Sequence, residues 1–137
     1  MRTAIDTNIL SALWSNQATA SLVERHLGEA KNEGGLVIAA PVYAELLAHP
    51  KVTESFVDGF LADTGIVADF RLEQRVWIDA GRRFARYANR RGRSAGEEPR
   101  RLLTDFLIGS HALAEADRLM TLDPKRYRRD FPDLKLI

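Results

Sequence analysis

The stretch Arg2-Thr3-Ala4-Ile5-Asp6-Thr7-Asn8-Ile9-Leu10 decides the fold. Its first half is short, partly β-branched and apolar, and it stops at an acid, which is the pattern of a buried strand with a charged end. Its second half opens a helical pattern over residues 8–14. Asn8, a good N-capping residue, stands before Ile9 and is expected to cap that helix. A strand that delivers a carboxylate to the start of a helix is a unit of a parallel α/β fold.

The same reading extends along the chain. Buried strands are expected at residues 2–6, 36–40, 65–69, 118–122 and 134–137, with helices between them. Residues 18–31 place Leu22, Val23, Leu27 and Ala30 on one face. Pro41 sits where a first-turn proline is welcome and opens a helix over 42–48. A helix over 52–62 follows, then the longest over 73–91, with Trp77, Ala80, Gly81, Phe84 and Ala88 as its core stripe. Pro99 opens the last helix, which runs to about Ala116. Residues 92–98, rich in Gly, Ser and charge, read as a surface loop too short to divide domains. Strands separated by helices imply right-handed crossovers and a parallel sheet covered on both faces, so one α/β domain over 1–137 with about five strands is expected.

Composition narrows the function. Hydrophobic residues make up 45% and charged residues 28% of 137 residues, an ordinary globular balance. No apolar run approaches the roughly 18–20 residues needed to cross a bilayer, and the N-terminal residues have no signal-peptide pattern. Membrane association is therefore not expected. The absence of cysteine excludes disulfides, thiolate metal sites and cysteine nucleophiles, and fits a cytoplasmic protein. Net charge is only +1, but the basic residues crowd between Arg82 and Arg101 and between Lys125 and Arg129. Segregated signs suit a protein that holds a polyanion at one place and a cation at another.

The acids carry the chemistry. Asp6 ends the first strand and Asp123 follows the fourth. Glu45 is expected near the start of the helix leaving the second strand, and Asp105 near the start of the helix entering the fourth. Helices leave and enter parallel strands at the carboxyl edge on these sides, so all four acids reach that edge by connectivity. They share one crevice if the first strand sits between the second and the fourth. Four carboxylates in one crevice repel one another unless a cation neutralises them. Hard oxygen ligands without Cys or paired His select Mg2+ or Mn2+ over Zn2+. Such ions lower the pKa of a water and polarise a phosphorus centre, so the pattern fits phosphodiester hydrolysis without a protein nucleophile.

These residues resemble those of PIN-domain nucleases, and more narrowly toxins of the VapBC toxin–antitoxin type. The resemblance rests on Asp6-Thr7-Asn8-Ile9-Leu10, on Tyr43-Ala44-Glu45-Leu46, and on the run Asp105-Phe106-Leu107-Ile108-Gly109-Ser110-His111-Ala112. It is completed by Thr121-Leu122-Asp123 followed by Tyr127 and Phe131-Pro132. It implies a three-layer α/β/α fold, Mg2+ or Mn2+ dependence, endonucleolytic cleavage of RNA, a homodimer and inhibition by a cognate antitoxin. Carried over by position, Asp6, Glu45, Asp105 and Asp123 would bind metal and catalyse, with Thr7, Asn8 and Thr121 in support.

The remaining motifs also have plainer roles. Thr121 lies two residues before Asp123, so strand alternation would send both side chains one way. Gly109 reads as a site of close helix–sheet packing rather than substrate approach. His49 precedes Pro50 and reads as a helix-terminating residue, His111 faces away from Asp105, and His26 is remote, so no histidine is an evident general base. Arg75 and Asp79 are spaced for an i,i+4 pair. Arg82, Arg86, Arg90, Arg100 and Arg101, with Lys125, Arg126, Arg128 and Arg129, are more positive charge than solubility needs and are expected to hold RNA phosphates. Among rival enzymes, a haloacid-dehalogenase-like phosphatase would need a second Asp where Asn8 stands. A non-toxin RNA-processing nuclease and a catalytically silent binding module remain as alternatives to a toxin.

Overall fold

The computed structural model describes residues 1–15, 18–93 and 100–137. Strand β1 (Thr3–Ile5) leads into helix α1 (Thr7–Trp14), then α2 (Ala20–Glu33), β2 (Leu36–Ala39), α3 (Ala40–Leu46), α4 (Glu54–Thr64) and β3 (Ile66–Asp69). The chain continues through α5 (Gln74–Arg93), α6 (Leu103–Glu115), β4 (Arg118–Met120) and the single-turn α7 (Lys125–Arg128). All pairings are parallel, in the order β3-β2-β1-β4. The first strand therefore sits between the second and the fourth, as the shared crevice requires. Strand order moves outward from β1 to β3 and then jumps back past β1 to β4. Right-handed crossovers place α1 to α4 on one face and α5 and α6 on the other, giving the expected three layers.

The expected fifth strand is reduced. Leu119 and Leu136 form an isolated parallel bridge, supported by Leu119 N–H to Lys135 O, Ile137 N–H to Leu119 O and Thr121 N–H to Ile137 O. The tail thus lines the β4 edge over too few residues to make a strand, and the sheet has four.

Local chemistry explains the boundaries. Asp6 has extended backbone (φ −74°, ψ 154°) and its side chain accepts the Thr7 N–H, so α1 starts one residue earlier than expected and Asp6, not Asn8, caps it. Thr53 caps α4 through the Phe56 N–H. Gly65 ends α4 with φ +73°, a left-handed conformation that favours glycine. Pro41 lies in the first turn of α3, as expected. Pro99 and residues 94–98 of the expected loop lie outside the described residues, whereas Gly92 and Arg93 complete α5.

Helices α5 and α2 bury somewhat different faces from those expected. On α5 the buried stripe is Val76, Ala80 and Tyr87, with Phe84 packed beside it, while Trp77 is half exposed and Gly81 and Ala88 are exposed. Ala80 and Phe84 of the expected stripe do face the core; the packed face is turned from the rest of it toward Val76 and Tyr87. On α2 Val23 and Ala30 are buried but Leu22 is exposed. Arg75 pairs with Glu73 and Glu115 rather than with Asp79, which pairs with Arg83. Arg83 also donates to Asp130 O and lies 4.6 Å from the Phe131 ring centroid, binding α5 to the tail.

Gly109 sits in the buried run of α6, but its close neighbour is the tail rather than the sheet. A Cβ there would stand 2.5 Å from the Phe131 ring. Overpacking of this kind costs about 1–3 kcal/mol, more than the roughly 1 kcal/mol of helix propensity that alanine gains. Gly109→Ala is expected to lower unfolding free energy in urea, with partial recovery when combined with Phe131→Leu. A variant as stable as the parent would show that the ring moves aside at no cost.

Candidate active site

The site forms where β1 ends. Asp6 is 3% exposed, and burying a carboxylate is costly unless hydrogen bonds replace its water. Three do so: the Thr7 N–H donates to Oδ1 at 2.8 Å, and the Thr121 hydroxyl (2.8 Å) and Tyr127 phenol (2.9 Å) donate to Oδ2. A carboxylate has about four lone-pair positions, so one on Oδ1 remains. Burial still pushes the Asp6 carboxyl above the usual range, against the pull of these hydrogen bonds and of the Arg126 charge. Burial, and then the negative charges of Asp6 and Asp105, hold the Tyr127 phenol far above its ordinary value, so it stays a neutral donor.

Asn8 extends this network instead of capping. Its Nδ2 donates to Thr121 Oγ1 and its Oδ1 accepts the Leu122 N–H at 3.1 Å. Thr121 also accepts the Asp123 N–H at 3.1 Å. The segment after β4 is thus turned by side-chain bonds, not continued as an alternating strand.

Glu45 falls near the end of the two-turn α3 rather than at its start, and the Thr7 hydroxyl donates to its Oε1 at 2.6 Å. Asp105 is the third residue of α6 and accepts the Leu102 N–H through Oδ2. Asp6, Glu45 and Asp105, with Thr7, Asn8, Ser11, Ala12, Leu122 and Arg126, line a cavity of about 350 Å3. Burial raises the Glu45 carboxyl; the Thr7 bond opposes this, and the charges of Asp6 and Asp105 add to it. Three of the four expected acids therefore share one space.

Asp123 does not line this cavity. It is joined to the others by Arg126, whose Nη1 lies 3.4 Å from Asp105 Oδ1 and whose Nε lies 3.4 Å from Asp123 Oδ2. Burial pulls the Arg126 guanidinium down, but the charges of Asp105, Asp123 and Asp6 outweigh it and raise its pKa. The oxygen donor set suits a hard divalent cation. Among the described residues no three His, Asp or Glu side chains are grouped closely enough to hold one ion by themselves, whereas Mg2+ commonly takes only one or two carboxylates and completes its shell with water.

Sequence reasoning missed two residues here. Tyr127 belongs to the tail motif, yet only the fold shows its hydroxyl on Asp6. Arg126, expected to face RNA phosphates, faces the acids. The other arginines are elsewhere: Arg82 and Arg86 are exposed on α5, and Arg90 pairs with Asp130 at 2.9 Å. Arg100 and Arg101 line a separate cavity with Phe84 and Tyr87. His111 is fully buried with Nε2 2.9 Å from Asp69, and His49 meets Ser15. No helix among the described residues is long and apolar enough to cross a membrane.

The raised Glu45 pKa has a stability consequence. Its contribution is fully present below the usual carboxylate range and is lost as pH rises through the raised value. Glu45→Gln keeps an acceptor for Thr7 but does not ionise. In chelator at pH 7.5 this variant should melt a few degrees above the parent, with the gap closing near pH 4. A variant that melts lower at pH 7.5 would contradict this electrostatic account.

Residues 3–132 match the PIN domain family. No curated protein matches the chain. Among solved structures, VapBC2 from Rickettsia felis bound to a DNA fragment from their promoter is similar over 100% of this chain and 98% of that one, with TM-score 0.71 and 23% identity. VapBC-1 from nontypeable Haemophilus influenzae is similar over 100% and 97%, with TM-score 0.67 and 21% identity. These two likenesses are of fold; the match over nearly the whole sequence, with the acids gathered at the carboxyl edge of the sheet, establishes that the chain belongs to the PIN domain family.

Proposed function

We propose that this chain is a divalent-metal-dependent endoribonuclease, hydrolysing RNA phosphodiester bonds, and the toxin of a type II toxin–antitoxin pair. The observation that carries the catalytic part is the convergence of Asp6, Glu45 and Asp105 on one cavity at the reversal of strand order. Ligands bind at such switch points in open parallel sheets. Asp6, Glu45, Asp105 and Asp123 would hold Mg2+ or Mn2+. A bound divalent ion supplies polarisation of the phosphodiester and a lowered pKa for an attacking water. Tyr127 and Thr121 orient Asp6, Thr7 orients Glu45, and Asn8 fixes Thr121.

The likeness in fold to VapBC2 and VapBC-1 supports the toxin–antitoxin setting, and with it a cytoplasmic homodimer held in check by a cognate antitoxin. An acidic cavity would also accept an Arg or Lys from a partner's tail. Arg82 and Arg86, exposed on one side of α5, are the best placed of the predicted arginines to contact RNA phosphate, since Arg90 is already engaged.

The test is RNA cleavage in Mg2+ or Mn2+ against chelator, on the parent and on Asp105→Asn. This substitution preserves the Leu102 bond, whereas Asp6→Asn would also disturb the buried Thr121 and Tyr127 donors. Loss of a metal-ligating carboxylate should reduce metal-dependent cleavage by about a hundredfold or more, since even partners of a ligand cost about 10–100-fold, with unchanged melting. Undiminished cleavage by Asp105→Asn rejects the mechanism. In the same assay, Arg82→Glu/Arg86→Glu should weaken RNA binding and flatten its salt dependence; no change would return these arginines to ordinary surface. Harm on expression, relieved by a partner protein, separates a toxin from an RNA-processing nuclease. Absence of any cleavage favours a silent binding module.

A further inference from the structure

Arg126 is the basic residue lining the acidic cavity, and its surroundings differ from those of a structural ion pair. Its backbone is fixed: α7 is one turn long, and the adjacent Tyr127 is fully buried with its hydroxyl on Asp6. Its side chain is held loosely. The two carboxylate contacts are both 3.4 Å, well beyond the roughly 2.7–2.9 Å of a strong charge-assisted hydrogen bond. They reach two different acids, so the planar fork is not matched to either carboxylate. The Nε is buried and forms no hydrogen bond, and the side chain as a whole is 38% exposed. Arg83 provides the contrast within the same molecule. Its side chain is 11% exposed, and its Nε lies 3.1 Å from both oxygens of Asp79 while Nη1 donates to Asp130 O at 2.6 Å.

We infer that Arg126 is a built-in counter-cation that competes with the divalent ion for Asp105 and Asp123 and so sets the metal affinity of the site. This rests on the acids being the metal ligands proposed above. A guanidinium on a rigid base with a loose head neutralises the cluster through charge and yields when a doubly charged ion arrives. Its exposed side gives it a path toward solvent. The site is thereby weaker for metal than four carboxylates alone would be, and the protein binds its ion only above a threshold concentration.

The experiment is calorimetric titration of Mn2+ into the parent, Arg126→Gln, Arg126→Lys and Asp105→Asn, with melting of each in chelator and in Mn2+. Removing one like charge beside the ion should tighten the Arg126→Gln dissociation constant by about tenfold. Arg126→Lys, which keeps the charge, should remain near the parent. Arg126→Gln should melt lower in chelator yet gain more from Mn2+, a combination that a purely structural arginine would not produce. Unchanged or weaker Mn2+ binding by Arg126→Gln, with binding lost in Asp105→Asn, overturns the competition while sparing the metal site. Mn2+ binding that survives Asp105→Asn, or none in either parent or Arg126→Gln, overturns the metal site and the competition with it.

Discussion

A carboxylate buried at the end of the central strand is the constraint on which the rest depends. Asp6 cannot be left without partners in so dry a place. The donors that satisfy it come from the start of α1, from the segment after β4 and from α7. Those three elements meet only because β1 lies between β2 and β4. One side chain therefore records the capping of a helix, the order of the sheet and the docking of the tail. The Phe131 ring then closes over Gly109, and Arg83 closes over Phe131, fixing the tail that presents Tyr127.

Electrostatics around this anchor are deliberately unbalanced. Glu45 and Asp6 are both pushed toward protonation by burial, and the charges around Glu45 add to its displacement. At Glu45, which accepts only the Thr7 hydroxyl, a neutral acceptor would cost less stability than the carboxylate does. Perturbed acids gathered in a cavity are a common mark of a functional site, which is in keeping with the proposed cation binding. Arg126 fits the same logic from the opposite sign.

The acids were legible in the sequence because topology, not side-chain detail, places them. A residue at a strand's carboxyl end, or on a helix that begins at that edge, reaches the crevice whatever its rotamer, and the resemblance named the same positions. Only Asp123 is absent from the cavity lining; ahead of it the chain after β4 is held by side-chain bonds from Asn8 and Thr121. What could not be read depends on competition between neighbours. Asp6 and Asn8 are both good caps, and the one on the strand end won. Val76 and Trp77 are adjacent and both apolar, so only packing against α6 decides which is buried. Arg126 and Arg128 look alike as a basic run, yet a single turn of helix sends Arg126 to the acids. The terminal strand failed for want of length rather than of pattern.

We propose above that Asp6 at the end of β1 holds a divalent cation together with Glu45 and Asp105. Anomalous diffraction from crystals equilibrated with Mn2+ tests it most directly. The account predicts a manganese peak within coordination distance of Asp6 and Asp105, with Arg126 withdrawn from Asp105. A well-ordered cavity with no peak, or manganese bound only elsewhere on the molecule, would contradict it.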